Sequence, residues 1–234
     1  MPKREFSLFL SCEHASNAVP EFLAERFKSR KAQKVLETHR GYDIGAAEVF
    51  RELSRLLRPT FAIEGSYTRL AIDLNRNSLR NHRYSEFSEA LPAEEKNLLE
   101  EYFETYRGAF FKALEGALQK RTSPPALHLS VHSFTPVLNG EVRNADLGIL
   151  YDPARKKEAG LARLWKQRLQ KLCPTLRVRF NYPYAGKTDG HTTALRKRFS
   201  ESRYLGFEIE INQSLFKTVK PQRIAEIFQQ TLDV

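Results

Sequence analysis

The chain has 234 residues, of which 41% are hydrophobic and 28% are charged, as is typical of a water-soluble globular protein. No stretch approaches the roughly 20 apolar residues of a membrane span, and the two cysteines are too few for a disulfide framework. We therefore expect a cytoplasmic protein without a membrane partner. The net charge of +10 comes from basic residues scattered among acidic ones, without a nucleic-acid-binding motif, so a nucleic-acid partner is not expected. The composition predicts no particular oligomeric state.

Short segments rich in β-branched and aromatic residues alternate along the chain with segments of helical periodicity. The patterns predict strands at residues 6–12, 60–65, 69–75, 126–133, 146–152, 176–181 and 204–212. They predict helices at residues 20–36, 43–57, 92–120, 156–172 and 221–232. The polar, arginine-rich stretch 77–91 is predicted to be a loop. This alternation predicts one α/β domain over residues 1–234, with three layers and a mixed, largely parallel sheet.

Two histidines stand where predicted strands end. His14 follows the first strand in SCEHASNAVP, and His132 ends the strand HLSVHS. The two-residue period of a strand places Ser130 and His132 on the face opposite to the apolar residues of that segment. Ligands bind at the carboxyl ends of strands in open α/β sheets. The positions of both imidazoles therefore indicate a functional site.

An acid close to these histidines would complete a metal site. Asp43 follows HRGY, where it could also serve as a first-turn acid that stabilises a helix N-terminus. Two imidazoles and one carboxylate form a common catalytic zinc set that leaves one position open for water. The sequence contains neither HExxH nor GxSxG. A nucleophilic Cys12 with His14 as its base is an alternative, although a cysteine in a strand is usually buried and inert.

Two further groups of polar residues carry chemistry. Glu208 and Glu210 alternate with apolar residues, so one strand face presents both carboxylates and must be exposed or functional. The segment TRLAIDLNRN, residues 68–77, places Arg69, Asp73 and Asn75 on one side of a predicted strand. Arginine matches a carboxylate with its planar fork of donors, so this segment could bind an anionic substrate or form an internal salt bridge.

Six blocks of the sequence, in this order, resemble the N-formylglutamate amidohydrolase family, which shares the zinc carboxypeptidase and aspartoacylase-like fold. They are CEHASNAVP, HRGYDIGA, YTRLAIDLNRN, HLSVHSFTPVLNGEVRNADLGILYD, NYPYAGKTDGHTT and LGFEIEINQSL. VHSFTP and DLNR are the most diagnostic. The resemblance implies an α/β/α fold and a metal-dependent, deformylase-type amidase.

The resemblance also implies a zinc site. His14 and His132 would be its two histidine ligands. Related zinc carboxypeptidases carry an acid three positions after the first histidine, where this chain has Asn17. The acidic ligand must therefore come from elsewhere. We assign it to Asp43, with Glu13 as the second choice, although Glu13 should point away from its neighbour His14 on an extended chain.

The same resemblance suggests how a substrate would be held and cleaved. Asn75 and Arg76, at the end of DLNR, would bind the substrate carboxylate. Glu210 in EIEINQ would be the general base, with Glu208 as the second choice for that role. One of Arg69, Arg76 and Arg143 would stabilise the developing oxyanion. The full set of expected catalytic and substrate-binding residues is Glu210, Arg69, Arg143, Asn75, Arg76, Glu208 and Tyr184.

The leading hypothesis is a zinc amidase that cleaves the N-acyl amide of an acidic amino acid such as N-formylglutamate, with a small anionic acyl-amino acid as substrate. One alternative is a zinc peptidase or cell-wall amidase on the same scaffold. The other is a non-catalytic protein that binds anions or nucleic acid.

Overall fold

A six-stranded sheet forms the centre of the computed structural model, which describes residues 5–76 and 83–232. Its strands, in the spatial order β2-β1-β3-β8-β6-β7, are β1 (Ser7–Cys12), β2 (Phe61–Glu64), β3 (Ala126–Phe134), β6 (Leu147–Leu150), β7 (Val178–Phe180) and β8 (Tyr204–Asn212). A separate hairpin joins β4 (Val137–Leu138) to β5 (Glu141–Val142).

Most neighbouring strands run parallel. The pairs β1–β2, β1–β3, β3–β8 and β6–β7 are parallel, whereas β6 runs antiparallel to β8. The sheet is thus mixed and largely parallel, as predicted. The chain continues from β1 to β2 on one side and from β3 toward β6 and β8 on the other. The carboxyl ends of β1 and β3 therefore meet where the strand order reverses, a place at which open α/β sheets bind ligands.

Helices cover both faces of the sheet, which confirms the three-layer prediction. One face packs Leu129, Ile209 and other apolar strand residues against α2 (Ala46–Leu57), α4 (Lys156–Leu172) and α6 (Pro221–Thr231). The other face packs Phe9 and Tyr204 against α3 (Ala93–Ala117) and α5 (His191–Arg196). A third apolar cluster joins α1 (Arg30–Leu36) and the 3-10 helix Glu21–Phe27 to the first half of α3. No helix in the described ranges is both long and apolar enough to cross a bilayer.

The prediction of a strand at residues 69–75 is wrong, because this segment forms turns and no strand. Leu70, Ile72 and Leu74 are buried, but they pack beside α3 and not within the sheet. The Asp73 side chain closes a turn by accepting the backbone N–H of Asn75 at 2.9 Å. Such local side-chain hydrogen bonds compete with strand pairing. The alternating apolar residues of this segment therefore indicate that it is buried, and they do not indicate a strand.

Some other predicted boundaries also change. The helix predicted at 20–36 is interrupted, since a 3-10 helix ends at Phe27 and Ser29 begins α1 by accepting the N–H of Ala32. The helix predicted to start at residue 43 begins at Ala46, so Asp43 is not a first-turn residue. Neither α5 nor the β4–β5 hairpin was predicted. Within the predicted loop 77–91, residues 77–82 lie outside the described residues.

Candidate active site

A cleft of about 190 Å³ opens at the carboxyl ends of the central strands. Nine of the ten residues assigned from the sequence line it: His14, Asp43, Arg69, Asn75, Arg76, His132, Tyr184, Glu208 and Glu210. The tenth, Arg143, does not line the cleft. Its guanidinium donates to the Tyr184 hydroxyl at 3.3 Å and lies over the Phe134 ring, so it stands behind two lining residues.

His14, Asp43 and His132 converge at the base of this cleft. The Nδ1 atoms of His14 and His132 lie 3.4 Å and 2.8 Å from the same oxygen, Asp43 Oδ2. Potential ligand atoms of the three side chains all lie within 4.8 Å of one another, and all three residues are buried. Residues predicted from three separate sequence blocks are therefore brought together.

The backbone explains how Asp43 reaches this place. Its N–H donates to the His14 carbonyl at 2.9 Å, which fixes it beside the end of β1. Gly45, two residues later, has a φ of 82° and caps the N-terminus of α2. A positive φ favours glycine because it has no Cβ. The chain thus turns into the helix after Asp43 and leaves the carboxylate in the cleft.

This donor set could hold a metal ion. A tetrahedral zinc ion with ligand bonds of about 2.0–2.1 Å separates its ligand atoms by roughly 3.3 Å. The distance between His14 Nδ1 and Asp43 Oδ2 is close to this value, and that between His132 Nδ1 and Asp43 Oδ2 is shorter, at 2.8 Å. Two imidazole nitrogens and one carboxylate oxygen also match the chemistry of catalytic zinc sites.

A second carboxylate holds the outer nitrogen of each imidazole. His14 Nε2 lies 2.7 Å from Asp73 Oδ1, and His132 Nε2 lies 3.2 Å from Glu13 Oε2. Metal-ligating histidines commonly donate their second N–H to a carboxylate, which fixes the ring and its tautomer. The acids predicted from the sequence as alternatives therefore occupy different positions: Asp43 faces both Nδ1 atoms, whereas Glu13 lies on the far side of His132.

The charges of these groups depend on one another. Burial alone would lower the pKa of His132, but its hydrogen bonds to Asp43 and Glu13 raise that pKa well above the ordinary value. Burial would raise the pKa of Asp73, yet the Arg69 and His14 charges hold it well below the usual range. The pKa of Asp43 is likewise lowered against the effect of burial, by His14 and His132. Carboxylates in this cluster are thus ionised and suited to a cation.

Glu210 differs from the other acids of the cleft. It pairs in register with His132 across β3 and β8, and its Oε2 atom is buried without a hydrogen-bond partner among the described residues. Burial, with added repulsion from Asp43 and Glu208, raises the pKa of Glu210 to about 8, although the His132 charge acts in the opposite direction. Glu208, on the same strand face, accepts a hydrogen bond from the Thr192 hydroxyl at 2.7 Å. Glu210 thus has a buried oxygen without a partner, whereas Glu208 is held through Oε1 by Thr192.

Two arginines bring positive charge into the cleft. Arg69 is held by Asp73 Oδ2 at 2.6 Å and lies 3.6 Å from Asp43 Oδ1. The Arg76 side chain is 42% exposed, and its Nε lies 3.6 Å from Asp73 Oδ2. Arg69 is therefore fixed by internal ion pairs, whereas Arg76 retains donors that can meet an incoming anion.

Asn75 connects this arginine-bearing segment to α5. Its side-chain oxygen accepts the backbone N–H of His191 at 2.7 Å, and its amide nitrogen lies 3.4 Å from His132 Nε2. A Cβ atom on Gly190 would lie 3.1 Å from that Asn75 oxygen and 3.0 Å from Glu208, so a larger residue there would crowd both side chains. Asn75 lies in the cleft as expected, but its oxygen is already engaged.

Sequence reasoning did not assign a second polar cluster beneath the cleft. Potential ligand atoms of Glu13, His128 and His191 lie within 4.8 Å of one another, and all three residues are buried. Both His128 nitrogens already have partners, since Nδ1 lies 2.8 Å from the Tyr204 hydroxyl and Nε2 lies 2.8 Å from the Ser11 hydroxyl. This cluster is therefore a hydrogen-bond network. The two-residue period of a strand places His128 on the same face as His132, and this pattern could have indicated the cluster.

The nucleophilic-cysteine alternative has no support in this geometry. Cys12 is fully buried in the apolar core shared with α2, α4 and α6. Burial, with the nearby Asp43 and Glu13 charges, raises the pKa of its thiol well above the ordinary value. A protonated thiol in an apolar core is a poor nucleophile.

Comparisons with known proteins identify the family of this chain. The model of the N-formylglutamate amidohydrolase family matches residues 6–217. Gene product Atu2144 of Agrobacterium tumefaciens is 25% identical, with a TM-score of 0.78 over 97% of this chain and 89% of that one. N-formylglutamate amidohydrolase of Ralstonia eutropha is 19% identical and shares the fold, with a TM-score of 0.61 over 99% of this chain and 97% of that one. No curated protein matches the sequence. Because the family match spans most of the chain, the chain belongs to the N-formylglutamate amidohydrolase family, a family of hydrolases that act on amides.

Proposed function

We propose that this protein is a zinc-dependent amidase that removes the N-acyl group, of the formyl type, from a small acidic amino acid such as glutamate. One observation carries the proposal: the Nδ1 atoms of His14 and His132 converge on a single oxygen of Asp43, beside the unpaired buried oxygen of Glu210. This combination offers three metal ligands and a base within one small cleft.

His14, Asp43 and His132 would hold the metal. A bound zinc ion supplies a water of lowered pKa and polarises the amide carbonyl. These three side chains leave the cleft side of the site open, as a catalytic zinc site requires. Asp73 and Glu13 hold the outer nitrogens of the two imidazoles, so the ligand rings do not need to reorient when a metal binds.

Glu210 would move the proton. Its buried carboxylate has an elevated pKa and an unsatisfied Oε2 atom, so it can take a proton from water and return it to the leaving amine. Proton acceptors work best when their pKa lies near the working pH. Glu208 is less suited to this role because Thr192 already donates to it.

The cleft favours a small anion as the rest of the substrate. Its volume of about 190 Å³ is small, since pockets for drug-sized ligands measure roughly 300–1,000 Å³. Arg76 offers exposed donors at its edge, and the half-exposed Tyr184, supported by Arg143, forms another part of the wall. An N-acyl amino acid with acidic groups matches both the size and the charge. The guanidinium of Arg69, held by Asp73, would stabilise negative charge that develops at the carbonyl oxygen.

A panel of substrates tests this proposal. Zinc-loaded protein is given N-formylglutamate, N-acetylglutamate, N-formylglutamine and a peptidyl-glutamate, and release of the free amine is followed. We expect N-formylglutamate to give the highest kcat/KM, with a lower value for N-formylglutamine because it lacks the side-chain charge. Preference for the peptidyl compound would instead favour the peptidase or cell-wall amidase alternative. Absence of turnover with every member would favour a binding protein.

A further inference from the structure

Glu13 is a buried acid placed outside the ligand set. It follows β1 directly, its side chain has no exposed surface, and it points away from its neighbour His14 toward three other side chains. Its Oε2 atom accepts the Ser130 hydroxyl at 2.6 Å and lies 3.2 Å from His132 Nε2. Its Oε1 atom lies 2.8 Å from His191 Nδ1. Both oxygens of a fully buried carboxylate are therefore engaged.

We infer that Glu13 is a positioning residue, which holds His132 in the tautomer whose Nδ1 is free to bind a metal in the cleft. The inference rests on the proposed function, because it assigns Glu13 a role in the same metal site. Nothing in this role requires Glu13 to touch the metal or the substrate.

The hydrogen-bond directions support this tautomer. A hydroxyl has one proton to donate, and that of Ser130 is given to Glu13 Oε2. The Ser130 oxygen, 2.8 Å from His132 Nε2, can then act only as an acceptor toward the imidazole. The Glu13 carboxylate is also an acceptor. The Asn75 amide nitrogen, a donor, is farther from Nε2, at 3.4 Å. With two acceptors closer to it, Nε2 carries the proton, and Nδ1 presents its lone pair when a metal replaces a proton there.

His191 fixes Glu13 in turn. It is the first residue of α5, and its backbone N–H donates to Asn75 while its ring contacts Glu13 Oε1. The carboxylate is thus held between the end of β1, the side of β3 and the start of α5. A carboxylate held on both oxygens can restrain the imidazole without moving itself, which is the function of the outer carboxylate in a carboxylate–histidine–metal arrangement.

The test measures zinc affinity by competition with a chelator in the wild type and in Glu13→Gln, which keeps the shape of the side chain but removes its charge. We expect zinc to bind about 10- to 100-fold more weakly in the variant, as is usual for loss of an outer-shell partner. Glu64→Gln is the matched control, because Glu64 pairs in register with Cys12 on the adjacent strand and contacts Arg51 at the surface. We expect its zinc affinity to equal that of the wild type.

A second readout separates positioning from a general structural role. Nitrogen-15 shifts of the zinc-loaded wild type should show His132 protonated at Nε2 and coordinated through Nδ1, and Glu13→Gln should weaken or lose this signature. If Glu13→Gln does not fold, Ser130→Ala removes the bridging hydroxyl instead, and we expect a loss of about tenfold or less in zinc affinity.

The outcomes can be distinguished. If the wild type binds zinc and Glu13→Gln binds it equally well with the same His132 tautomer, the inference is overturned and the proposed function stands. If the wild type binds no zinc, the proposed function fails and takes the inference with it. If Glu64→Gln lowers zinc affinity as much as Glu13→Gln does, the cause is the loss of overall negative charge. That result would also overturn the inference.

Discussion

His14 and Asp73 are joined through the outer nitrogen of the imidazole, with Nε2 only 2.7 Å from the carboxylate oxygen. The other oxygen of Asp73 binds Arg69 at 2.6 Å. One carboxylate therefore restrains both a proposed metal ligand and an arginine of the cleft. The segment TRLAIDLNRN, which the sequence left open as an anion site or an internal salt bridge, contains the salt bridge.

Because Asp73 contacts both His14 and Arg69, its substitution should affect both metal binding and catalysis. We expect Asp73→Asn to weaken zinc binding by about tenfold or more, because His14 loses a charged partner. We also expect kcat at saturating zinc to fall, since an amide would present Arg69 with at most one neutral acceptor and would hold the proposed oxyanion-stabilising guanidinium less firmly. Asp146→Asn is the control, because Asp146 pairs with Arg177 at the surface, away from the cleft. Unchanged zinc affinity and unchanged kcat in Asp73→Asn would show that the carboxylate positions neither His14 nor Arg69.

Arg76 tests how the substrate anion is held. Arg76→Lys keeps the charge but loses the planar fork of donors, so we expect KM for N-formylglutamate to rise more than kcat falls. N-formylglutamine should be less affected if Arg76 binds the side-chain carboxylate. Steady-state kinetics with both compounds measures the difference. An unchanged KM for the acidic substrate would place the anion on another residue, with Arg69 the next to test.

Glu210 tests the proton transfer. We expect Glu210→Gln to retain zinc and to lose a factor of roughly 10² to 10⁴ in kcat, the usual contribution of a positioned base. Because a base acts only when deprotonated, kcat/KM in the wild type should rise with pH. The apparent pKa should lie below the value of about 8 that burial gives the metal-free protein, since a bound cation favours the charged form of a nearby carboxylate.

The same pH profile in Glu208→Gln is the control for this prediction. We expect the rising limb to remain in Glu208→Gln and to disappear in Glu210→Gln. Loss of turnover in Glu208→Gln combined with an active Glu210→Gln would exchange the roles of the two acids.

His128 should make the stability of the fold depend on pH. Burial holds the pKa of His128 well below the ordinary value, with a further contribution from the His191 charge. Below pH 6.5 the unfolded chain therefore binds a proton at this position that the folded chain does not, and stability falls as the pH falls. Urea unfolding of metal-free wild type and His128→Gln at pH 5 to 7 measures this. We expect the wild-type free energy of unfolding to fall more steeply, by about 1.4 kcal/mol per pH unit at the acidic end. Parallel curves would contradict this assignment.

The local sequence pattern was sufficient to predict the strands of the six-stranded sheet. The strand predicted at 204–212 has the observed bounds, Tyr204–Asn212, because a long alternation of apolar residues with Glu208 and Glu210 fits only a strand with one polar face. The segment 69–75 has a similar alternation, yet its polar residues bind one another and turn the chain. Sequence alternation does not distinguish these cases, since β8 pairs with two neighbouring strands whereas the segment 69–75 forms local side-chain hydrogen bonds instead.

The site also contains residues that the sequence predicts and residues that it does not. His14, Asp43 and His132 could be assigned because strand ends meet at one edge of the sheet and the sequence blocks resemble a known family. The outer partners could not be assigned. His191 meets Glu13 across 178 positions of sequence, on a six-residue helix that no pattern predicted. Glu13 itself was considered only as a ligand, because its burial behind His132 depends on the pairing of β1 with β3.

The metal site is tested most directly by the amount of zinc that the protein binds in equilibrium dialysis, measured by elemental analysis. The proteins compared are the wild type, His14→Ala, His132→Ala and His39→Ala. We expect about one zinc ion per chain in the wild type, a loss of most of it in His14→Ala and His132→Ala, and full binding in His39→Ala. The last variant is the control because His39 lines the cleft but lies outside the ligand group. Full zinc occupancy in both His14→Ala and His132→Ala would contradict the assignment of the metal site.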